Sequence, residues 1–375
     1  MLGSMTRRLA VAMAAVSVLG LGACEGGKDG GGKSAKAQEV HVYNWSDYID
    51  PKLLEEFTAE TGIKVVYDTF DTAEIMETKL MTGQSGYDVA VPANHTIPKL
   101  IQGKAIEPLD FAKLPNRKNL WPDIVSGMEP FDPGAKYSVP YMWGTMGIGY
   151  NKAKVAERLP GVALDSWSVI FDPANLAKLK DCGVFFLDAP EDMFAVVLTY
   201  MGKDPNSTNP ADYEAAAQLL LKLRPYVRKF HSSEYIEALA NGDACVVVGY
   251  NGDIFQARDR ATEAKNGVDV GYVIPREGSQ LWFDAMTIPA GGNREVAHKF
   301  IDFMLRPEVI ARASNVTTYA NGNLAASALV DADIKNNPGI YPPPEVMSRL
   351  FTTKAKDQPL MKVVTRQWTK VLTGR

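Results

Sequence analysis

The chain has 375 residues, a formal net charge of -4 and only three cysteines. That length exceeds what a single hydrophobic core usually organises, so two domains are expected. The modest acidity argues against nucleic acid as a partner and is compatible with a cationic ligand.

The chain opens with Arg7 and Arg8, then an apolar run over 9–21, then Gly22, Ala23 and Cys24. Basic, apolar, then small residues is the order of an export signal, and the apolar run is shorter than the roughly 20 residues a bilayer span needs. Residues 1–23 are therefore read as a signal peptide. The tetrapeptide L-G-A-C resembles the bacterial lipobox, which implies acylation at Cys24; a soluble export signal cleaved elsewhere is the alternative. Residues 24–38, rich in Gly, Lys, Ser and Ala, read as a flexible tether. A periplasmic protein anchored through a lipid follows, touching the membrane only by that anchor. Beyond Cys24 only Cys182 and Cys245 remain, an even pair in an oxidising compartment, which favours a disulfide over two buried thiols.

After the tether, 40–43 reads as a strand and 51–61 as a helix started by Asp50 and Pro51 and stopped by Gly62. Residues 63–67 give the next strand, Asp71 and Glu74 open a helix closed by Gly83, and 87–91 is a third strand. This βαβαβ order predicts a sheet with helices on its faces. A second set follows the Gly-rich stretch 143–151, which reads as a hinge or a close strand approach. Pro173 and Pro190 open helices around a strand at 184–187, and Asn209 with Pro210 opens another. A buried strand at 244–249 runs into a helix near Asp253. Strands near 268–274 and 281–288 and a helix over 294–305 complete the pattern. The expected fold is α/β in two lobes, with 39–143 and 265–316 in lobe 1 and 144–264 and 317–375 in lobe 2.

Signs of catalysis are weak. His41, His95, His231 and His298 have no metal-ligand spacing with one another or with cysteine. The run G-T-M-G-I-G-Y at 144–150 lacks both the glycine spacing of a dinucleotide fingerprint and the lysine of a phosphate loop. Gly83, Gln84, Ser85 and Gly86 do not fit a nucleophile elbow. No cofactor is expected, and a periplasmic enzyme on the same two-lobed plan is the less favoured reading.

What stands out is acids beside aromatic rings at element ends. In H-V-Y-N-W-S-D-Y-I-D-P, Tyr43, Trp45 and Tyr48 surround Asp47 where a strand meets a helix, the place where open α/β sheets hold ligands. Asp192 follows a strand, Asp253 follows Tyr250, and Asp284 follows Trp282 and Phe283. Rings and carboxylates together suit an organic ammonium, offering π-faces to the charge and an anion to pair it. Each acid alone reads equally as a cap or a surface charge.

The segments Y-N-W-S-D-Y-I, E-T-G-I-K-V-V-Y-D, P-Y-M-W-G-T, F-L-D-A-P-E, G-K-D-P-N-S-T, F-H-S-S-E-Y-I, L-A-N-G-D-A-C and N-P-G-I-Y-P-P resemble those of the bacterial periplasmic polyamine-binding proteins of ABC importers, the putrescine binders above all. The resemblance implies a type II periplasmic-binding-protein fold with a hinge and an interlobe ligand cleft, a monomer, and a permease and ATPase as partners. It implies that Trp45, Ser46, Asp47, Tyr48, Asp253, Asp284 and Tyr319 line the pocket, and it places the disulfide at Cys182 and Cys245. The chain departs from the putrescine pattern within the pocket. Asp192 replaces a glutamate, Tyr250 a tryptophan, His95 and Ala93 serines, and Trp282 a phenylalanine. The expected function is capture of a polyamine, putrescine first, with spermidine, cadaverine or agmatine as alternatives.

Overall fold

The computed structural model describes residues 38–375, so the signal peptide, Cys24 and nearly all of the tether lie outside the described residues. Among the described residues twelve strands are hydrogen-bonded into one sheet: β1 Glu39–Trp45, β2 Lys64–Phe70, β3 Val89–Ala90, β4 Ile106–Glu107, β5 Ser138–Asn151, β6 Val184–Phe186, β7 Lys229–Phe230, β8 Val246–Tyr250, β9 Val270–Val273, β10 Ser279–Pro289, β11 Ala320–Asn321 and β12 Leu350–Phe351. The principal order is β2-β1-β3-β10-β5-β8-β6-β7.

Near the amino end, β1 lies between β2 and β3, parallel to both, as the βαβαβ pattern predicts. The intervening helix Pro51–Thr61 keeps its expected bounds for local reasons. The Asp50 carboxylate accepts from the Lys52 amide at 3.0 Å, Pro51 occupies the first turn, and Gly62 ends the helix with a φ of 70°. Its Leu53 and Phe57 are buried against the sheet. The next helix, Ala73–Met81, is capped by Thr72 rather than by Asp71, which leaves the Asp71 carboxylate free for other work. In the second half, Asp172 and Asn209 cap Pro173–Leu179 and Pro210–Leu223, and Pro190 opens Pro190–Tyr200, at the expected positions.

Two apolar cores share this sheet. The first gathers Val40, Val42, Phe57, Val89, Ala285, Met286 and Ile301, and the second Ile148, Val184, Phe194, Tyr213, Val247 and Trp368. Strand β5 joins them: Val139, Tyr141 and Trp143 belong to the first core, Met146 and Ile148 to the second. Its glycines are demanded by close approach, since a Cβ at Gly147 would lie 2.5 Å from the Val273 carbonyl oxygen. The Gly-rich stretch is thus one long strand crossing between cores. Core membership also runs across the lobe bounds read from sequence. Val270 packs in the second core, whereas Tyr319, Ala320, Ile334 and Ile340 pack in the first. Helix Gln358–Thr373 returns to the second through Leu360, Val364 and Trp368.

Cys182 and Cys245 are bonded, with Cα atoms 5.4 Å apart across 63 residues of sequence. They precede the parallel neighbours β6 and β8, so the bond ties the starts of two central strands. Among the described residues no helix is long and apolar enough to cross a membrane.

Candidate functional site

Strands β1, β2 and β8 all end at one cleft, which encloses roughly 790 Å³ of atom-free space including its mouth. Trp45 reaches it from the end of β1 and Ser46 and Tyr48 from the loop that follows, Tyr250 from the end of β8 and Asp253 from the first turn of helix Asn251–Ala264. Gln280, Trp282 and Asp284 reach it from β10, where alternate residues share a face. His95, Asp192 and Tyr319 complete the set. Ten of the eleven expected ligand residues therefore meet around one cavity.

Asp47 does not line it. This residue holds a left-handed backbone, φ 53°, and its carboxylate accepts from the Arg260 guanidinium at 2.7 Å. With 41% of its side chain exposed, it belongs to the rim. Arg260 also pairs with Glu237, so one guanidinium links the loop after β1 to two helices of the second half. Within the same loop, Ser46 Oγ donates instead to Asp71 at 3.0 Å, which brings a further carboxylate to the cleft wall.

The inner end is a carboxylate pair in an aromatic wall. Asp253 accepts from the hydroxyls of Tyr235 at 2.5 Å and Tyr319 at 2.6 Å. Burial pushes its carboxyl up to about 6, against the pull of those two hydroxyls. Asp284 is pushed further, to about 8, first by burial and then by the charges of Asp192 and Asp253, with the Tyr48 hydroxyl opposing. The rings of Tyr48, Tyr319, Trp282 and Tyr250 run in edge-to-face succession beside them, with centroid spacings of 5.0, 5.3 and 5.9 Å. Trp45 tilts against Phe70 nearby.

Asp192 is engaged on both oxygens. It accepts from Tyr250 Oη at 2.7 Å and from Gln280 Nε2 at 2.6 Å. His95 is 4% exposed and its Nδ1 has no hydrogen-bond partner among the described residues, as is true of the indole N–H groups of Trp45 and Trp282. Buried polar atoms of this kind, aimed into a cleft, are what a polar ligand satisfies.

Asp71, Glu74, Glu191, Gln280 and Ser232 line the cleft without having been singled out from sequence. Gln280 was readable, since it stands two and four residues before Trp282 and Asp284 on one strand face. Asp71 follows β2 as Ser46 follows β1, an equivalent strand-end position in the neighbouring parallel strand. The wall is rich in carboxylates and in π-faces, a field that gathers small organic cations and repels anions.

Two cores joined by the crossing strand β5, with a cleft at strand ends, have the two-lobed α/β architecture of the type II periplasmic binding proteins. The chain belongs to the bacterial extracellular solute-binding protein family, whose pattern it matches over residues 52–342. It is a solute-binding protein, not an enzyme. It is 50% identical over 348 residues to the putrescine-binding periplasmic protein PotF of Escherichia coli, covering 91% of this chain and 93% of that one. It is 49% identical over 345 residues to the putrescine-binding periplasmic protein SpuD of Pseudomonas aeruginosa, covering 92% and 94%. Among solved structures, a putative spermidine/putrescine ABC transporter protein from Listeria monocytogenes superposes with a TM-score of 0.80 at 34% identity, covering 90% of this chain and all of that one.

Proposed function

We propose that this protein captures a polyamine, putrescine first, in the cleft between its two lobes and delivers it to the permease and ATPase of an ABC importer. Relatives named as periplasmic putrescine binders at half identity support the ligand class and the compartment. Lipid attachment through Cys24 and a monomeric state belong to this reading on the sequence alone. We assign the lobes by core membership, with β5 as the crossing segment about which they would hinge.

The observation that carries the proposal is the Asp253–Asp284 pair, two buried carboxyls held above their ordinary range within an aromatic wall. An ammonium placed between them supplies the counter-charge they lack. Each charge-assisted hydrogen bond contributes roughly 1.5–3 kcal/mol, and each methylene laid on the rings about 0.8 kcal/mol. The second ammonium of a four-carbon diamine reaches toward Ser46, Asp71 and Asp192. Without the cation, two ionised acids in a dry site would cost several kcal/mol, so ligand and closed cleft favour one another. No bond is made or broken.

A thermal-shift panel of putrescine, spermidine, cadaverine and agmatine tests the reading, with mass analysis of each amine after incubation. Stabilisation by at least one amine, greatest for putrescine, and unaltered amine are expected. No shift with any of the four, or a chemical change in one, would refute it.

A further inference from the structure

The far end of the cleft ends on a group of charges that diamine capture leaves unused. Glu191 lines the cleft and is 4% exposed. Its Oε1 accepts from Lys99 Nζ at 2.9 Å and its Oε2 from Lys356 Nζ at 3.1 Å. Lys356 is as deeply buried as the glutamate it serves. Burial would raise the Glu191 carboxyl, but Lys356, His95 and Lys99 overcome it and hold the group down at about 2. Each oxygen of the carboxylate is thus engaged by one lysine ammonium.

Behind Glu191 lies a second cavity, which shares Ala73, Glu74 and Glu191 with the cleft and is lined further by Lys99 and Lys356. A ligand that outgrows the cleft therefore meets the Lys99 and Lys356 ammoniums, both paired with Glu191, beside the carboxylates of Glu74, Glu77 and Asp357. The bridge also spans the two halves of the fold. Lys99 sits on helix Ile97–Gln102, which packs in the first core through Ile97 and Leu100, and Glu191 on helix Pro190–Tyr200, which packs in the second. It forms only where the halves meet.

We infer that the Lys99–Glu191–Lys356 bridge is a length gate that makes the cleft select diamines over triamines. This rests on the polyamine reading above. The second charge of a diamine is accepted before the gate. A third ammonium is refused, because the carboxylate that would receive it already holds two lysine ammoniums.

Charge-altering variants separate this role from mere support of the fold. Lys356→Gln and Glu191→Gln both break the same ion pair, yet the gate requires opposite effects. Calorimetric titration with putrescine and with spermidine is expected to show spermidine binding about tenfold tighter in Lys356→Gln, with putrescine little changed. Glu191→Gln leaves Lys356 without its counter-charge and Lys99 with Glu77 alone, and is expected to weaken spermidine further. Lys99→Gln, at a less buried lysine, repeats the first expectation should Lys356→Gln fold poorly. A spermidine-to-putrescine ratio that stays constant, or moves the same way in the lysine and glutamate variants, overturns the gate while putrescine binding stands. A wild-type protein that binds neither amine overturns the polyamine reading, and the gate with it.

Discussion

Tyr250 Oη donates to Asp192 Oδ2 at 2.7 Å, joining two residues that the sequence reading takes as departures from the putrescine-binder pattern. On that reading a tryptophan and a glutamate give way together to a ring carrying a hydroxyl and an acid one methylene shorter. The hydroxyl fixes the shorter acid from one side while Gln280 fixes it from the other. Tyr250, Asp192 and Gln280 are thus one hydrogen-bonded unit. Tyr250→Phe and Asp192→Asn are therefore expected to be non-additive, with a coupling of about 1 kcal/mol or more in a double-mutant cycle on putrescine affinity. Simple additivity would show the two residues acting separately.

Asp284→Asn is expected to weaken putrescine binding by at least about tenfold, or 1.4 kcal/mol, without loss of fold. Burial already favours the uncharged form of this group, so a neutral amide of the same shape suits the empty site. The amide cannot pair an ammonium. Titration calorimetry reads the affinity, and circular dichroism the fold.

Asp47→Asn is expected to change affinity far less, within the 0–1 kcal/mol or so typical of exposed ion pairs. Its partner is Arg260 on the rim, and 41% of the Asp47 side chain and 32% of the Arg260 side chain are exposed. A loss equal to that of Asp284→Asn would return Asp47 to the ligand's own coordination.

Much of this was readable in the chain. Asp50, Pro51 and Gly62 delimit a helix because each satisfies a terminal backbone need that no distant contact overrides. The acids beside rings lie around one cleft because the ends of β1, β2 and β8 and one face of the antiparallel strand β10 meet there. What escaped depends on distant or backbone facts. A positive φ at Asp47 cannot be read from the residues around it, and the side chain meets Arg260, 213 positions away. That Ala320, Ile334 and Ile340 join the first core is a matter of tertiary packing, which local pattern does not display. Glu191 looked like part of a helix start, and only the fold brings Lys99 and Lys356 to it.

Asp284 also sets a pH dependence. Its carboxyl stands near 8 in the folded protein against about 3.9 in an unfolded chain. A raised acid contributes stability below the unfolded value and loses it as pH rises through the folded one, so the ligand-free protein is expected to melt lower at pH 8 than at pH 5. An ammonium lowers the bound-state value, so putrescine binding should expel protons at pH 7. Affinity then rises with pH from 6 to 8, by up to about tenfold per unit for each proton released. Calorimetry in two buffers of different ionisation enthalpy counts the protons. A count of zero would contradict the assignment of Asp284 as the ammonium acceptor.

Replacing both Cys182 and Cys245 by alanine is expected to lower stability by roughly 4 kcal/mol, the chain-entropy value for a loop of this span. Denaturant unfolding of the oxidised parent and the variant measures the difference. A loss well under 1 kcal/mol would mean that β6 and β8 hold the second core without the bond.

The claim on which the rest depends is that one ammonium sits between Asp253 and Asp284. Titrating putrescine into the parent protein and into an Asp253→Asn, Asp284→Asn double variant at pH 8, with folding verified by melting, tests it directly. The expected result is saturable one-to-one binding in the parent and none measurable in the variant. Retention of parent-like affinity by the doubly neutralised cleft would contradict it.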